Sequence, residues 1–297
     1  MEHTMQRIET LPIHNISHPV DESFCQQAAH ALESGQVILL PSLPFLLKEH
    51  ERKFLTPQAV SGRSKNISYH AKTDCMQGDA YQGVLHDELK AMMHRFSVFS
   101  STLVQHLFPH YTSTLTQART SYRPVEAATR EGMSYRKDDR RLHVDAFPSS
   151  PNQGNRILRI FSNINPKGEP RVWQLGESFE NVAKHFLPSV KKPFVFNKYV
   201  LKALGITKSM RTDYDAYMLQ LHDNMKADEA YQKNAPQEEV QLPANSTWIV
   251  FTDQASHAAK SGQYCLEQTF HLPRAGMVRP ERSPLSVLES IIGKRLI

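Results

Sequence analysis

From Glu88 to Leu107 apolar side chains recur every three or four positions, at Leu89, Met92, Met93, Phe96, Phe99, Leu103 and Leu107. That spacing predicts about five turns of helix burying a single stripe. Upstream, Asp21 to Glu33 reads as a helix opened by Asp21 as N-cap, and the run Gln36 to Leu40 as a strand. Beyond the polar tract Thr112 to Thr120 the texture changes. The short runs Arg141 to Phe147, Ile157 to Asn165, Arg171 to Leu175, Thr247 to Thr252 and Tyr264 to Leu272 are each bounded by Pro, Gly, Asn or Ser, the pattern of strands joined by turns. Such strands predict a β-sandwich or jelly roll rather than βαβ units. Between the third and fourth of them lies an insertion, Phe179 to Glu239, with a helical stretch at Tyr214 to Tyr231 carrying Tyr217, Met218, Leu221 and Met225; an insert of this length is expected to form a lid. At the end of the chain Leu285, Leu288, Ile292 and Leu296 fall at helical spacing within Pro284 to Ile297, and this helix is expected to dock onto its own domain rather than onto a membrane or a partner subunit. The fold expected is mostly β within the α+β class, with flanking helices. A mixed helix and strand buttress ends near residue 115, a jelly-roll core starts near residue 116, and no Pro/Ser/Gly linker divides residues 1–297 into two domains.

Composition narrows the class. With 297 residues, 40% of them hydrophobic and 22% charged, the chain is neither disordered nor fibrous and needs no metal or disulfide staple to fold. The longest apolar stretch, Val37 to Leu47, is interrupted by Pro41, Ser42 and Pro44 and is far short of the roughly 20 residues that span a bilayer. The start MEHTMQRIETLP has neither the basic nor the apolar region of a secretory signal, which points to the cytoplasm. Cys25, Cys75 and Cys265 are odd in number and widely spaced, so buried free thiols are expected. The net charge of +5 favours anionic partners. The densest basic run, Arg136 to Arg141, is half neutralised by Asp138 and Asp139, which argues for a solvated face and against nucleic acid.

The chemistry gathers around LHVDAF. On an extended segment the period of two throws His143 and Asp145 to one face, where both reach one ion. About 110 residues later His257 follows the strand Thr247 to Thr252, and together the three make the 2-His-1-carboxylate set of non-haem Fe(II) oxygenases, which leaves three coordination positions open. Among 15 histidines a His-x-Asp pair arises by chance, so context decides. His143-Val144-Asp145 is followed by PSSPNQGN, then Arg156 to Pro166, then KGEPRVW, the order found in prolyl-4-hydroxylase-like dioxygenases. With LPFLLKEHERKFLTP and GRSKNISYH nearer the start, nearly the whole chain resembles the bacterial Kdo hydroxylases, Fe(II)/2-oxoglutarate enzymes that hydroxylate C3 of 3-deoxy-D-manno-oct-2-ulosonic acid (Kdo) in lipid A precursors.

That resemblance implies a double-stranded β-helix holding Fe(II) on His143, Asp145 and His257. It implies 2-oxoglutarate and O2 as cosubstrates, ascorbate as a stimulant, succinate and CO2 as coproducts, and Kdo-lipid A as the glycolipid substrate, met by peripheral contact with the cytoplasmic face of the inner membrane. Charge bookkeeping independently favours a 2-oxoacid: Fe(II) with one carboxylate is +1, a dianionic 2-oxoglutarate makes −1, and its distal carboxylate needs a cation. In prolyl-4-hydroxylase relatives a lysine about ten residues after the distal histidine supplies it, but Glu267 stands there. Arg159 and Arg171 are therefore the expected anchors, each offering a planar fork. Asn163 and Gln268 are expected to hydrogen-bond oxygen ligands, and Arg123 with Tyr122 to meet substrate, while Trp173 and Trp248 read as core and His94, His106 and His222 as surface or boundary residues. An oxygenase of protein or nucleic acid would share the triad, and a sugar-binding jelly roll without turnover would share the fold.

Overall fold

The computed structural model describes residues 6–62, 64, 66–129, 134–191 and 210–297. Its strands are β1 (Ile8–Thr10), β2 (Val37–Leu40), β3 (Ile67–His70), β4 (Cys75–Gln77), β5 (Thr116–Arg123), β6 (Arg156–Asn163), β7 (Arg171–Leu175), β8 (Glu238–Leu242), β9 (Thr247–Phe251), β10 (His257–Ser261) and β11 (Cys265–Leu272). Eight of them form one sheet in the order β1-β2-β9-β6-β11-β5-β3-β4, and β10-β7-β8 form a second. The four central strands β9-β6-β11-β5 face the small sheet as the two walls of a jelly roll, and the N-terminal strands β1 to β4 extend the large wall at both edges.

The large wall is covered on both sides, so its strands read as apolar runs in which alternate residues belong to different cores. Leu158 and Ile160 of β6, Ile249 and Phe251 of β9 and Phe270 and Leu272 of β11 pack outward with Leu103, Leu107 and Phe108 of the long helix and its end. Phe161 of β6 and Trp248 and Val250 of β9 point inward with Trp173 and Leu175 of β7 and Val240 and Leu242 of β8. Phe161 stacks on Trp248 at 5.2 Å between ring centroids, and Trp173 stands edge-on to both. Trp173 and Trp248 are core residues, as expected.

Several elements depart from their predicted form. The long helix starts at Val84, four residues early, after Gly83. Arg141 to Phe147 is no regular strand: His143 makes a single bridge to His257, Asp145 N–H donates to Thr252 O, and both backbone groups of Leu142 bond the side-chain amide of Gln232. A side chain from the insert thus stands where a neighbouring strand would, which interrupts the ladder. The expected helix Tyr214 to Tyr231 is split by Asp228, whose carboxylate caps a short second helix, Glu229–Asn234, after Asp213–Ala227. Residues 192–209 of the expected lid lie outside the described residues. Cys75 is exposed rather than buried, because it lies on the edge strand β4. The basic run is no free face: Arg136 pairs with Asp223 and Arg141 with Glu229, which fastens it to the insert. The C-terminal helix Pro284–Ile292 docks onto its own chain, with Leu285, Leu288 and the following Leu296 packed against Phe179 and Tyr214.

Candidate metal centre

His143 and His257 face one another across the bridge between the segment 141–147 and β10, with ring centroids 4.6 Å apart. Asp145, two residues on, places Oδ1 3.6 Å from His143 Nε2. One ligand atom from each of the three lies within 4.8 Å of the others, and all three side chains are buried. The donor set fits a divalent ion. His143 donates Nδ1–H to Arg141 O at 2.7 Å and His257 donates Nδ1–H to Ala255 O at 2.8 Å. A carbonyl only accepts, so each Nε2 keeps its lone pair for metal, the orientation that metal-binding histidines ordinarily show.

Electrostatics keep the set in its ligating form. Burial pushes His257 down to about 4, with the neighbouring His143 adding to the effect, so its ring is neutral at physiological pH. Burial alone would raise Asp145, but Arg159 foremost and the two histidines outweigh it and hold the carboxyl well below the usual range. Stability of the metal-stripped protein follows. Between pH of about 6.5 and about 4 the unfolded chain protonates this histidine and the folded one does not, so stability falls as pH drops through that window, by up to about 3 kcal/mol. Urea unfolding across the window is expected to show a shallower pH slope for His257→Gln than for wild type, and equal slopes would contradict the assignment.

Trp173 stacks on His257 at 5.1 Å, and His222, from the insert helix Asp213–Ala227, stands edge-on to His143 at 5.4 Å. The buried His222 was expected at the surface or its boundary; only the packing of that helix brings it beside the centre, and local sequence carried no sign of it.

Beyond the triad the inner face is ionic. Arg159 on β6 places Nη1 3.2 Å from Asp145 Oδ2 and Nε 3.4 Å from Glu267 Oε1. Glu267, on β11, is also held by Arg123 through Nε at 2.9 Å and Nη2 at 2.7 Å. Arg171 on β7 is buried with one described partner, the carbonyl of Gly262 at 3.0 Å; its Nε is unpaired, and no described carboxylate comes within salt-bridge reach. Burial pushes its guanidinium below the ordinary value, and Arg123 adds to the push. Gly262 has φ +114, and a Cβ there would lie 2.8 Å from Arg171 Cα, so only glycine allows this approach.

The other predicted residues are placed differently. Tyr122 and Gln268 project from the outer face of the large sheet, since each is one position away from an inward residue, Arg123 and Glu267 respectively. Tyr122 donates to Phe54 O, and Gln268 accepts from Thr120 Oγ1 and donates to backbone carbonyls. Asn163 lies on the inner face, but its amide bonds Glu169 O, Leu242 O and the N–H of Asn165. The structure therefore does not bring Tyr122 and Gln268 to the centre, and it commits Asn163 to backbone. Glu267, read from sequence only as a missing lysine, is instead the hub of two ion pairs.

Comparison with known proteins agrees with this geometry. A family model described as 3-deoxy-D-manno-oct-2-ulosonic acid (Kdo) hydroxylase matches residues 16–295. Among solved structures the chain is similar to the Kdo hydroxylase KdoO, a non-haem Fe(II) α-ketoglutarate-dependent dioxygenase, in complex with cobalt(II): TM-score 0.96 and 46% identity over 98% of each chain. The same enzyme with α-ketoglutarate and Fe(III) gives 0.95 and 45%, and with succinate and Fe(III) 0.94 and 46%, each over 98% of both chains. No protein among curated sequences matches. The chain belongs to the Kdo hydroxylase family.

Proposed function

We propose that this protein hydroxylates Kdo in an Fe(II)- and 2-oxoglutarate-dependent reaction, at C3 of a Kdo residue of Kdo-lipid A. The observation that carries the reading is the buried His143, Asp145 and His257 set with its two Nε2 lone pairs and one carboxylate converging on a point. When bound there, Fe(II) supplies oxygen activation, so that 2-oxoglutarate, O2 and a C–H bond become succinate, CO2 and C–OH. The chain's own residues hold and orient. Arg171, a buried cation with no described counter-ion, anchors the distal carboxylate of 2-oxoglutarate, a role for which Arg159 is less suited because Asp145 and Glu267 already balance it. Arg123 has Nε and Nη2 on Glu267, while its Nη1, 3.9 Å from Asp139 and so beyond hydrogen-bond reach of it, keeps N–H donors for an oxygen of the sugar. The inter-sheet aromatic core around Trp173 keeps water from the far side of the centre.

No helix among the described residues is long and apolar enough to cross a membrane. A lipid-anchored substrate would be met by peripheral contact with the cytoplasmic face of the inner membrane. Purified protein given Fe(II), 2-oxoglutarate, ascorbate and Kdo-lipid A is expected to release succinate and to add a single oxygen atom to the Kdo region by mass spectrometry. Succinate release driven by a peptide or by methylated DNA, and not by Kdo-lipid A, would overturn the substrate; sugar binding with no turnover would overturn the enzyme.

A further inference from the structure

The two oxygens of Asp145 have different neighbours. Oδ1 lies 3.6 Å from His143 Nε2, while Oδ2 accepts no hydrogen bond among the described residues and has the Arg159 guanidinium at 3.2 Å. Arg159 is itself fixed from behind by Glu267 Oε1, which Arg123 holds, and its guanidinium lies 5.5 Å from the Phe147 ring. The result is an alternating line of charges, Asp145, Arg159, Glu267, Arg123 and Asp139, carried by the segment around residues 139–145 and three adjacent strands.

A carboxylate free at both oxygens binds a divalent ion through one or both of them. On a facial triad the second mode would close one of three open positions, and 2-oxoglutarate with O2 needs all three. We propose that Arg159 is a positioning residue that reserves Oδ2 of Asp145 and so keeps this carboxylate on the metal through Oδ1 alone. The inference rests on the metal reading above but not on the identity of the sugar. Arginine suits the task because its fork reaches Asp145 and Glu267 at once, which the single ammonium of lysine does less well.

The test uses Mn(II) alone as probe, with water-proton relaxation of the loaded protein reporting the coordinated waters. In Arg159→Met, Mn(II) affinity is expected to stay within about threefold of wild type while the relaxation enhancement falls by about one third, as one of three solvent positions closes. Arg159→Lys is expected to recover part of the loss. Should the methionine variant fold poorly, Arg159→Gln gives the same readout with a polar side chain. Unchanged relaxation in the neutral variants would overturn the proposal, as would an affinity loss of about tenfold or more, the mark of general support for the triad. Failure of wild-type protein to bind Mn(II) at all would instead reject the metal reading itself.

Discussion

His257→Ala is expected to lower Co(II) affinity by about 100-fold or more and to bring succinate release to background. Losing the hydrogen-bonded partner that orients a metal-binding histidine typically costs about 10- to 100-fold, and this change deletes a ligand outright. The neutral ring, with Nδ1–H on Ala255 O and Nε2 toward the metal position, is one of only three ligand groups that converge among the described residues, so the remaining His143 and Asp145 would have to hold the ion as a pair. The substitution also opens a cavity beside Trp173, which loses its stacked partner, so a stability loss of about 1–3 kcal/mol is expected. Calorimetric metal titration below the unfolding temperature separates the two effects. Wild-type Co(II) affinity in this variant would sink the site. Sugar binding that survives alongside a wild type inert towards 2-oxoglutarate would instead favour a carbohydrate-binding jelly roll.

The second large effect falls on Arg171. Arg171→Met is expected to raise the KM for 2-oxoglutarate by roughly 100-fold, the equivalent of about 3 kcal/mol for a buried charge pair broken on one side. Metal affinity should remain within about twofold, since Arg171 makes no contact with the triad among its described bonds. The same substitution is expected to stabilise the ligand-free protein by about 1 kcal/mol or more, because it replaces a desolvated cation lacking a described counter-ion with an apolar side chain of similar length. Opposite signs for cosubstrate binding and for unliganded stability are the signature of a site built for an anion. A wild-type KM, or a lower melting temperature without ligand, would remove Arg171 from that role and return it to Arg159.

The triad was legible in two steps: the spacing of one residue put His143 and Asp145 on one face of an extended segment, and His257, which follows a recognisable strand about 110 residues later, was added by the order of motifs that the chain shares with the dioxygenases it resembles. The residues around it were legible only in part. Tyr122 and Arg123 cannot both face one pocket from one strand, nor can Glu267 and Gln268, and sequence shows this exclusion without showing which member wins. The winner is set by the register of β11 against β5 and β6, where Glu267 pairs with Ser121 and Phe161 and Cys265 with Arg123 and Asn163. His222 and Gln232 were beyond reach for another reason: each acts on the segment 141–147 from a helix some 80 to 90 residues away in the chain, through a contact that leaves no local period.

By itself, then, the order of residues determined a strand-rich core with a helical cover, through the alternation of apolar positions, and nominated three ligands for one ion, two by their spacing on one segment and the third by its place in the order of motifs. Only the tertiary structure decided how the inner charges pair. Arg123, Arg159, Glu267 and Asp145 come within a few ångströms because sheet register and the single bridge at His143 align distant strands, whereas Arg171 is left without a described carboxylate. Coulomb energy depends on separation in space, not along the chain.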